Sequence, residues 1–138
     1  CHVQQRFSME RLNELKKKNP NAKIIAHPEC QKTVLIMADY IGSTSQLIDF
    51  TINDSSTSYL VATEYGVIHQ MKKFSPEKDF IPVPPDNSTC ACNDCIYMKM
   101  ITLKKLYLSL KYEYPVVDLS PEIITKAKLP IERMIAIR

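Results

Sequence analysis

The chain has 138 residues, of which 45% are hydrophobic and 24% are charged, and these values are ordinary for one soluble globular domain with a buried core. A formal net charge of +3 permits an anionic substrate but gives no indication of nucleic-acid binding. The sequence contains no apolar run of the roughly 18 residues that a membrane helix needs, and no signal peptide is visible, although the chain does not begin with Met.

The counts of cysteine and glycine argue against one class of protein and one kind of binding site. Five cysteines form an odd and unevenly placed set, which argues against a secreted disulfide scaffold and favours reduced thiols in a cytosol-like compartment. The two glycines, Gly42 and Gly66, cannot form a GxGxxG or P-loop phosphate site.

Residues 1–83 alternate between helical and extended patterns. Ser8 is a candidate N-cap for a first helix, and Asn19-Pro20 ends that helix. This alternation implies right-handed βαβ units, and so a three-layer α/β domain with a short parallel sheet. The segments, in chain order, are strand 23–26, helix 33–38, strand 40–41, helix 46–50, strand 59–62, helix 67–72 and a proline-bearing edge strand 80–83.

The rest of the chain predicts helices only. A loop at 84–94 leads into a long helix from Cys95 to about Tyr114, which Pro115 ends. Ser120-Pro121 opens another short helix, and Leu129-Pro130 starts the final one. We therefore assign residues 1–94 to an α/β domain and residues 95–138 to a C-terminal helical segment.

Polar residues follow three of the predicted strands, at the edge of an open α/β sheet where ligands bind. The first set is His27 with Glu29. Imidazole titrates near neutral pH, so this set suits proton transfer or binding of a polar substrate, but its histidine could equally be a packed residue at a strand end. The helix start of the second set suits a carboxylate or phosphate, but its hydroxyls could equally be simple N-caps. The sets are His27 with Glu29, Ser43 with Thr44, and Thr63 with Glu64.

Three cysteines, Cys90, Cys92 and Cys95, lie within six residues, and Cys1 opens the chain. Thiolates are soft ligands that select zinc, copper(I) or iron–sulfur centres. The set is incomplete for a closed zinc site, so a metal centre would need ligands far apart in sequence, some of them outside this chain. The Cys92-x-x-Cys95 pair suits redox or metal chemistry, whereas Cys30 suits packing as a small hydrophobe.

Several motifs occur together in a fixed order: Cys1-x-Val3-x-x-x-Phe7, His27-Pro28-Glu29-Cys30, Ala38-Asp39, Gly42-Ser43-Thr44-Ser45, Ala62-Thr63-Glu64-Tyr65-Gly66, His69-Gln70-Met71 and Cys95-x-x-Met98-Lys99-Met100. With these motifs the chain resembles the C-terminal part of the quinolinate synthase family, from its first residue to its last helix.

This resemblance implies an enzyme that condenses iminoaspartate with dihydroxyacetone phosphate to quinolinate, a precursor of NAD, in a transferase- or lyase-type reaction. It implies three similar α/β domains, of which this chain supplies one third. One [4Fe–4S] cluster would be held by three cysteines, and its remaining iron would act as a Lewis acid. L-aspartate oxidase would be a functional partner, and the location would be cytoplasmic, or plastid in a plant.

The resemblance also implies roles for individual residues. Cys1 and Cys95 would be cluster ligands, with Cys95 chosen because it directly precedes x-x-Met-x-Met. His27 and Glu29 would contact the substrate or move protons. The other substrate contacts would be Ser43 and Thr44, for a carboxylate or phosphate, and Met98, near the cluster.

Two departures from the family pattern matter. The family's first cluster cysteine and its first two-thirds are absent, so we expect this chain to be inactive alone. We also expect its helical segment, residues 95–138, to pack on the α/β domain or on the missing N-terminal part. Gln4 stands where the family has a substrate-facing His, and an amide cannot titrate. Cys92 and Cys95 could also form a regulatory disulfide, which would remove Cys95 from the cluster.

Two other interpretations stay open. A small metal- or redox-binding module built on Cys90, Cys92 and Cys95 would bind metal as this isolated chain. A plain structural α/β domain would carry its cysteines incidentally.

Overall fold

The structure is a computed structural model that describes residues 1–86 and 93–137. The chain divides into two compact units, Cys1–Lys99 and Met100–Arg138, while the predicted boundary between residues 94 and 95 stays a prediction. A short 3-10 turn at Gln4–Arg6 precedes the first helix. The helices are α1 (Met9–Lys18), α2 (Lys32–Met37), α3 (Thr44–Asn53), α4 (Gly66–Phe74), α5 (Ile96–Lys99), α6 (Leu103–Tyr112) and α7 (Pro121–Ala136), and the strands are β1 (Lys23–Ala26), β2 (Tyr40–Ile41), β3 (Ser58–Ala62) and β4 (Asp79–Pro82).

The four strands form one parallel sheet in the order β2-β1-β3-β4. The longest pairing joins β1 to β3, from Lys23 opposite Tyr59 to Ala26 opposite Ala62. Strand β4 lies at an edge, as its proline predicted. The predicted α/β class, the parallel sheet and the helical C-terminal segment are therefore confirmed.

Apolar side chains alternate along the strands, so each face of the sheet has its own core. Helices α1 and α2 cover one face, and α3 and α4 cover the other, which makes the three predicted layers. The first core contains Phe7, Leu12, Ala22, Ile24, Ala26, Cys30, Val34, Leu60, Ala62 and Val83, and the second contains Ile25, Leu47, Tyr59, Val61, Ile68, Met71 and Phe80.

A polar lock joins the loop after α3 to the N-terminal ends of β1 and β3. The Asp54 carboxylate accepts hydrogen bonds from Lys23 Nζ at 2.5 Å and from the Tyr59 hydroxyl at 2.9 Å. The Lys23 ammonium, with help from Ser56, holds the pKa of Asp54 well below its usual range. Burial, followed by the nearby Asp54 carboxylate, raises the pKa of Tyr59. This lock stands at the end of the sheet opposite the polar strand ends.

The N-terminal segment lies against the carboxyl end of β1. Its apolar side chains Val3 and Phe7 are fully buried. Gln5 Nε2 donates to the Glu29 carbonyl at 2.6 Å, and Gln31 Nε2 donates back to the Gln5 carbonyl at 2.6 Å. These reciprocal bonds fix residues 1–7 beside the turn that follows β1.

The prediction of one long helix from Cys95 to about Tyr114 was wrong. Helix α5 stops at Lys99, and α6 starts afresh after Thr102. The Thr102 hydroxyl accepts from the Lys105 N–H at 3.2 Å, so this residue caps a new helix. Helix α6 ends at Tyr112, and the C-cap residue Glu113 has a left-handed φ of 50°, just ahead of the predicted stop at Pro115.

The prediction of two separate helices after Ser120 was also wrong, because α7 runs unbroken from Pro121 to Ala136 with Pro130 inside it. Ser120 caps its start as expected, accepting from Ile123 N–H at 3.4 Å. The Lys128–Glu132 ion pair, 3.1 Å long, brackets the proline and supports the helix across the missing hydrogen bond. Among the described residues, no helix combines the length and apolar character that a membrane crossing requires.

Candidate active site

A cavity of about 440 Å³ opens beyond the carboxyl ends of the strands in the first unit. The β1–β3 pair lies at its base, and this pair is where the strand order reverses, the usual ligand position in an open α/β sheet. The residues that line it are Cys1, Gln4, His27, Glu29, Thr44, Thr63, Glu64, Gly66, Val67, Gln70 and Met98.

His27 extends β1 by one residue, because its N–H donates to the Ala62 carbonyl of β3 at 3.1 Å. Its ring atom Nδ1 accepts from the Glu29 N–H at 3.2 Å. A ring nitrogen that accepts is unprotonated, so the neutral imidazole carries its proton on Nε2. The turn therefore fixes the tautomer and leaves Nε2 as the donor of this half-buried side chain.

Glu29 is more exposed than His27 and lies where the N-terminal segment meets the turn after β1. Its carboxylate atom Oε2 is 3.1 Å from the Cys1 nitrogen. The Glu29 carbonyl is held by Gln5. Glu29 and Cys1 thus lie side by side on one wall of the cavity.

Gln4 is fixed between two buried neighbours. Its Nε2 donates to Thr63 Oγ1 at 3.2 Å, and its Oε1 accepts from the Cys30 thiol at 3.6 Å. Only 6% of Gln4 is exposed. Because both ends of the amide are occupied, its position in the wall is set by hydrogen bonding rather than by a charge.

Cys30 is buried and packs in the first core, as predicted for a small hydrophobe. The single thiol proton is shared between Gln4 Oε1 and the Ala62 carbonyl, which is 3.4 Å from the sulfur. Burial raises the pKa of the Cys30 thiol to about 11, and the negative charge of Glu29 adds to the increase. A thiol of this kind stays protonated near neutral pH and is a poor metal ligand.

Ser43 and Thr44 behave differently although they are adjacent. Ser43 is the N-cap of α3, since its hydroxyl accepts from the Gln46 N–H at 3.4 Å while Gln46 Oε1 accepts from the Ser43 N–H at 2.8 Å. This reciprocal pair is a capping box. Thr44, the first helical residue, lines the cavity, and Ser43 is outside the lining set.

Glu64 bridges two parts of the chain. Its Oε2 accepts from the Gly66 N–H at 2.7 Å, and its Oε1 accepts from the Cys95 N–H at 3.3 Å. Cys95 is 8% exposed and lies next to this lining residue. A methyl group at Gly66 would come within 2.7 Å of Oε2, so the carboxylate needs the glycine beside it.

The structure brings together most of the residues that the sequence suggested. Cys1, His27, Glu29, Thr44 and Met98 line one cavity. The Cys95 N–H is hydrogen-bonded to the lining residue Glu64, while Ser43 directly precedes the lining residue Thr44. Cys90 and Cys92 lie outside the described residues, so the predicted Cys92–Cys95 pair stays a prediction.

Other lining residues received no role from the sequence. Thr63 and Glu64 were recognised at a strand end, but their partners Gln4 and Cys95 lie far away in the chain. Gln70 lies one helical turn after Gly66, so the spacing of four residues was the available signal.

Comparison with known proteins gives a match over nearly the whole chain. A family model described as quinolinate synthetase A protein matches residues 1–136. The chain belongs to this quinolinate synthetase family. The predicted resemblance is therefore confirmed.

Named quinolinate synthases share much of this sequence. One from Microcystis aeruginosa is 50% identical over 135 residues, which are 98% of this chain and 42% of that relative. One from a Synechococcus species is 48% identical over 136 residues, 99% of this chain and 42% of the relative. One from Chloroherpeton thalassium is 44% identical over 135 residues, with 98% and 42% covered. The chain thus spans about two fifths of the length of these quinolinate synthases, in agreement with a C-terminal portion.

Proposed function

We propose that the longer quinolinate synthase to which this chain belongs condenses iminoaspartate with dihydroxyacetone phosphate to quinolinate, with a [4Fe–4S] cluster as its Lewis acid. The atoms balance when inorganic phosphate and two waters leave. L-aspartate oxidase, as a source of iminoaspartate, is its proposed functional partner, and the rest of the same enzyme completes the site.

One observation supports this proposal above the others. In a chain of this family, five residues expected to bind substrate or cluster line a single cavity at the switch point of the sheet. These residues come from the N-terminal segment, from the turn after β1, from the start of α3 and from α5. These five residues come from separate parts of the sequence, so a shared site accounts for their position around one cavity.

His27 and Glu29 are the proposed proton-transfer groups. Because Nδ1 is occupied by the Glu29 N–H, neutral His27 donates through Nε2, which suits protonation of a departing oxygen. Glu29 presents an exposed carboxylate on the same wall, which suits removal of a proton from substrate carbon or nitrogen. Gln4 cannot transfer a proton, so its proposed role is to hold the wall through Thr63.

The start of α3 is the proposed contact for a substrate carboxylate or phosphate. Thr44 lines the cavity at the first helical position, where free N–H groups and the helix dipole favour anions. The Ser43 hydroxyl accepts from Gln46 N–H, and a hydroxyl that accepts in this way can still donate its own proton to an anion. Met98 supplies apolar surface to the same cavity.

Cys1 and Cys95 are the proposed cluster ligands of this chain. Thiolates hold iron–sulfur clusters, and both residues lie at the cavity, one in its lining and one bonded to Glu64. Across residues 1–86 and 93–137, no three His, Cys, Asp or Glu side chains are grouped to hold a metal ion. In the proposal, these two thiols are part of a donor set that the rest of the enzyme completes. When bound, such a cluster supplies Lewis acidity to substrate oxygen.

The alternative of a small cysteine module stays a prediction, because Cys90 and Cys92 lie outside the described residues. Membership of an enzyme family favours the proposed synthase over that module and over a purely structural domain.

Substitutions in the full-length enzyme test the proposal. After anaerobic reconstitution, His27→Gln and Glu29→Gln should each lower kcat for quinolinate formation by about 10² to 10⁴-fold, because each removes a proton-transfer group. Chromatographic assay of quinolinate measures the rate. His69→Gln is the matched control, since His69 is an exposed residue of α4 outside the cavity lining. A His27→Gln enzyme as fast as the His69→Gln control would overturn the assigned role.

A further inference from the structure

The segment Asn93–Cys95 is held by the turn between β3 and α4. The Tyr65 N–H donates to the Asn93 carbonyl at 3.3 Å, and the Cys95 N–H donates to Glu64 Oε1 at 3.3 Å. Both bonds reach about 30 residues along the chain, so they fix where the segment lies rather than its local shape. The main chain that carries the Cys95 thiol is therefore docked on the cavity wall.

Asn93 joins the same segment to the N-terminal residues. Its side-chain Nδ2 donates to the Val3 carbonyl at 2.7 Å, and the residue is only 3% exposed. A buried amide is costly unless it is hydrogen-bonded, so this contact selects one placement of the segment. The rings of His2 and Tyr97 make a second contact between the same two segments, edge to face with their centroids 5.6 Å apart.

These contacts connect the two chain segments that carry the Cys1 and Cys95 thiols. Val3 is two residues from Cys1, and Asn93 is two residues from Cys95, so one hydrogen bond links the two short segments. Glu64 adds a second fixed point, since its other oxygen is tied to the Gly66 N–H that starts α4. Hydrogen bonding and ring packing therefore join the segment around Cys95 to the residues that follow Cys1.

We propose that Glu64 and Asn93 are positioning residues that hold the Cys95 segment against the cavity, so that its thiol is presented together with that of Cys1. This inference rests on the proposed function, in which both thiols are cluster ligands. Neither Glu64 nor Asn93 transfers a proton or binds the cluster itself. Groups that orient metal ligands typically change metal affinity by about 10 to 100-fold when removed.

The first test follows thiol reactivity in the metal-free 138-residue chain. Glu64→Ala and Asn93→Ala should raise the alkylation rate of Cys95 by iodoacetamide about tenfold, because losing a hydrogen bond to a buried group makes local opening of the docked segment more frequent. Peptide mass spectrometry gives the rate at each cysteine. Cys30 is the internal reference, since it is buried in the core and has no hydrogen bond to Glu64 or Asn93 among the described contacts. Glu77→Ala, at an exposed residue after α4, is the matched control.

The second test follows the cluster in the reconstituted full-length enzyme. Iron release to a chelator, monitored by the visible absorbance of the cluster, should be about 10 to 100-fold faster in both variants than in Glu77→Ala. Gly66→Ala provides an independent variant, because its methyl group displaces the Glu64 carboxylate without removing it.

The outcomes separate the two proposals. Unchanged Cys95 alkylation, or an equal increase at Cys30 that reports general unfolding, would overturn the positioning role. Selective release of Cys95 supports it. A Cys95→Ser enzyme that keeps its full iron content would instead overturn the ligand assignment, and the alkylation result would still report on docking.

Discussion

Cys30 shows how burial decides what a cysteine can do. Of the cysteines that the structure describes, Cys1 lines the cavity, Cys95 is docked beside it, and Cys30 is packed among core residues. The three share one side-chain chemistry but differ in surroundings. The raised pKa of Cys30, about 11, keeps its sulfur protonated and out of metal chemistry, although it lies only three residues after His27.

The raised pKa of Cys30 predicts a loss of stability in alkaline solution. The protonated thiol is favoured in the folded state, so its contribution is complete below the ordinary pKa of 9.0 and is lost as the pH rises through about 11. The contribution of Cys30 to the unfolding free energy should be about 2 kcal/mol lower at pH 11 than at pH 8. Urea unfolding at pH 8, 9, 10 and 11 measures it. Cys30→Ala is the control, and a variant with the same alkaline slope as the parent would contradict the prediction.

Individual site residues were predictable where their position in the chain already fixed their place in the fold. His27 and Glu29 follow a buried strand, and Thr44 starts the next long helix, so a parallel sheet brings them to one edge. The bonds of Glu64 and Asn93 were not predictable. They join segments about 31 and 90 residues apart, and no local pattern reports which distant N–H or carbonyl will arrive.

At the scale of elements, capping residues account for both the successes and the errors. Ser8 and Ser43 cap α1 and α3 where expected. Thr102 was overlooked as a cap, because the apolar spacing continues across it and the pattern alone favours one helix. Pro130 was given too much weight, since a proline removes one hydrogen bond but does not always end a helix.

Ser43 allows a cap to be distinguished from a substrate contact. Ser43→Ala should lower the unfolding free energy by about 1 kcal/mol, because α3 loses one half of its capping box. Ser43→Asp should keep the cap and the stability, but repel an anionic substrate and raise KM. Urea unfolding and steady-state kinetics of the full-length enzyme measure the two effects. Ser45→Ala is the matched control, and an unchanged KM in Ser43→Asp would leave Ser43 with the capping role alone.

At the scale of the molecule, both apolar cores and the candidate active-site cavity belong to the first unit. Both cores consist of residues between Phe7 and Val83, and the polar lock at Asp54 and the cavity occupy opposite ends of the sheet. The polar lock and the candidate catalytic residues thus lie at opposite ends of the sheet. Polar groups can therefore line the cavity without interrupting the apolar packing. In the second unit, none of the described residues is buried.

This difference predicts that the first unit folds without the second. A chain of residues 1–99 should unfold in urea cooperatively and with nearly the midpoint of the full 138 residues, because cooperativity comes from a shared apolar core. Residues 100–138 alone should lose helical circular dichroism gradually, since short unpacked helices are marginal in water. Leu47→Ala, at a fully buried position, should cost about 3 kcal/mol in both chain lengths and serves as the internal control. A large fall in midpoint on truncation would instead favour the prediction that the helical segment packs on the α/β domain, over packing on the N-terminal part of the enzyme.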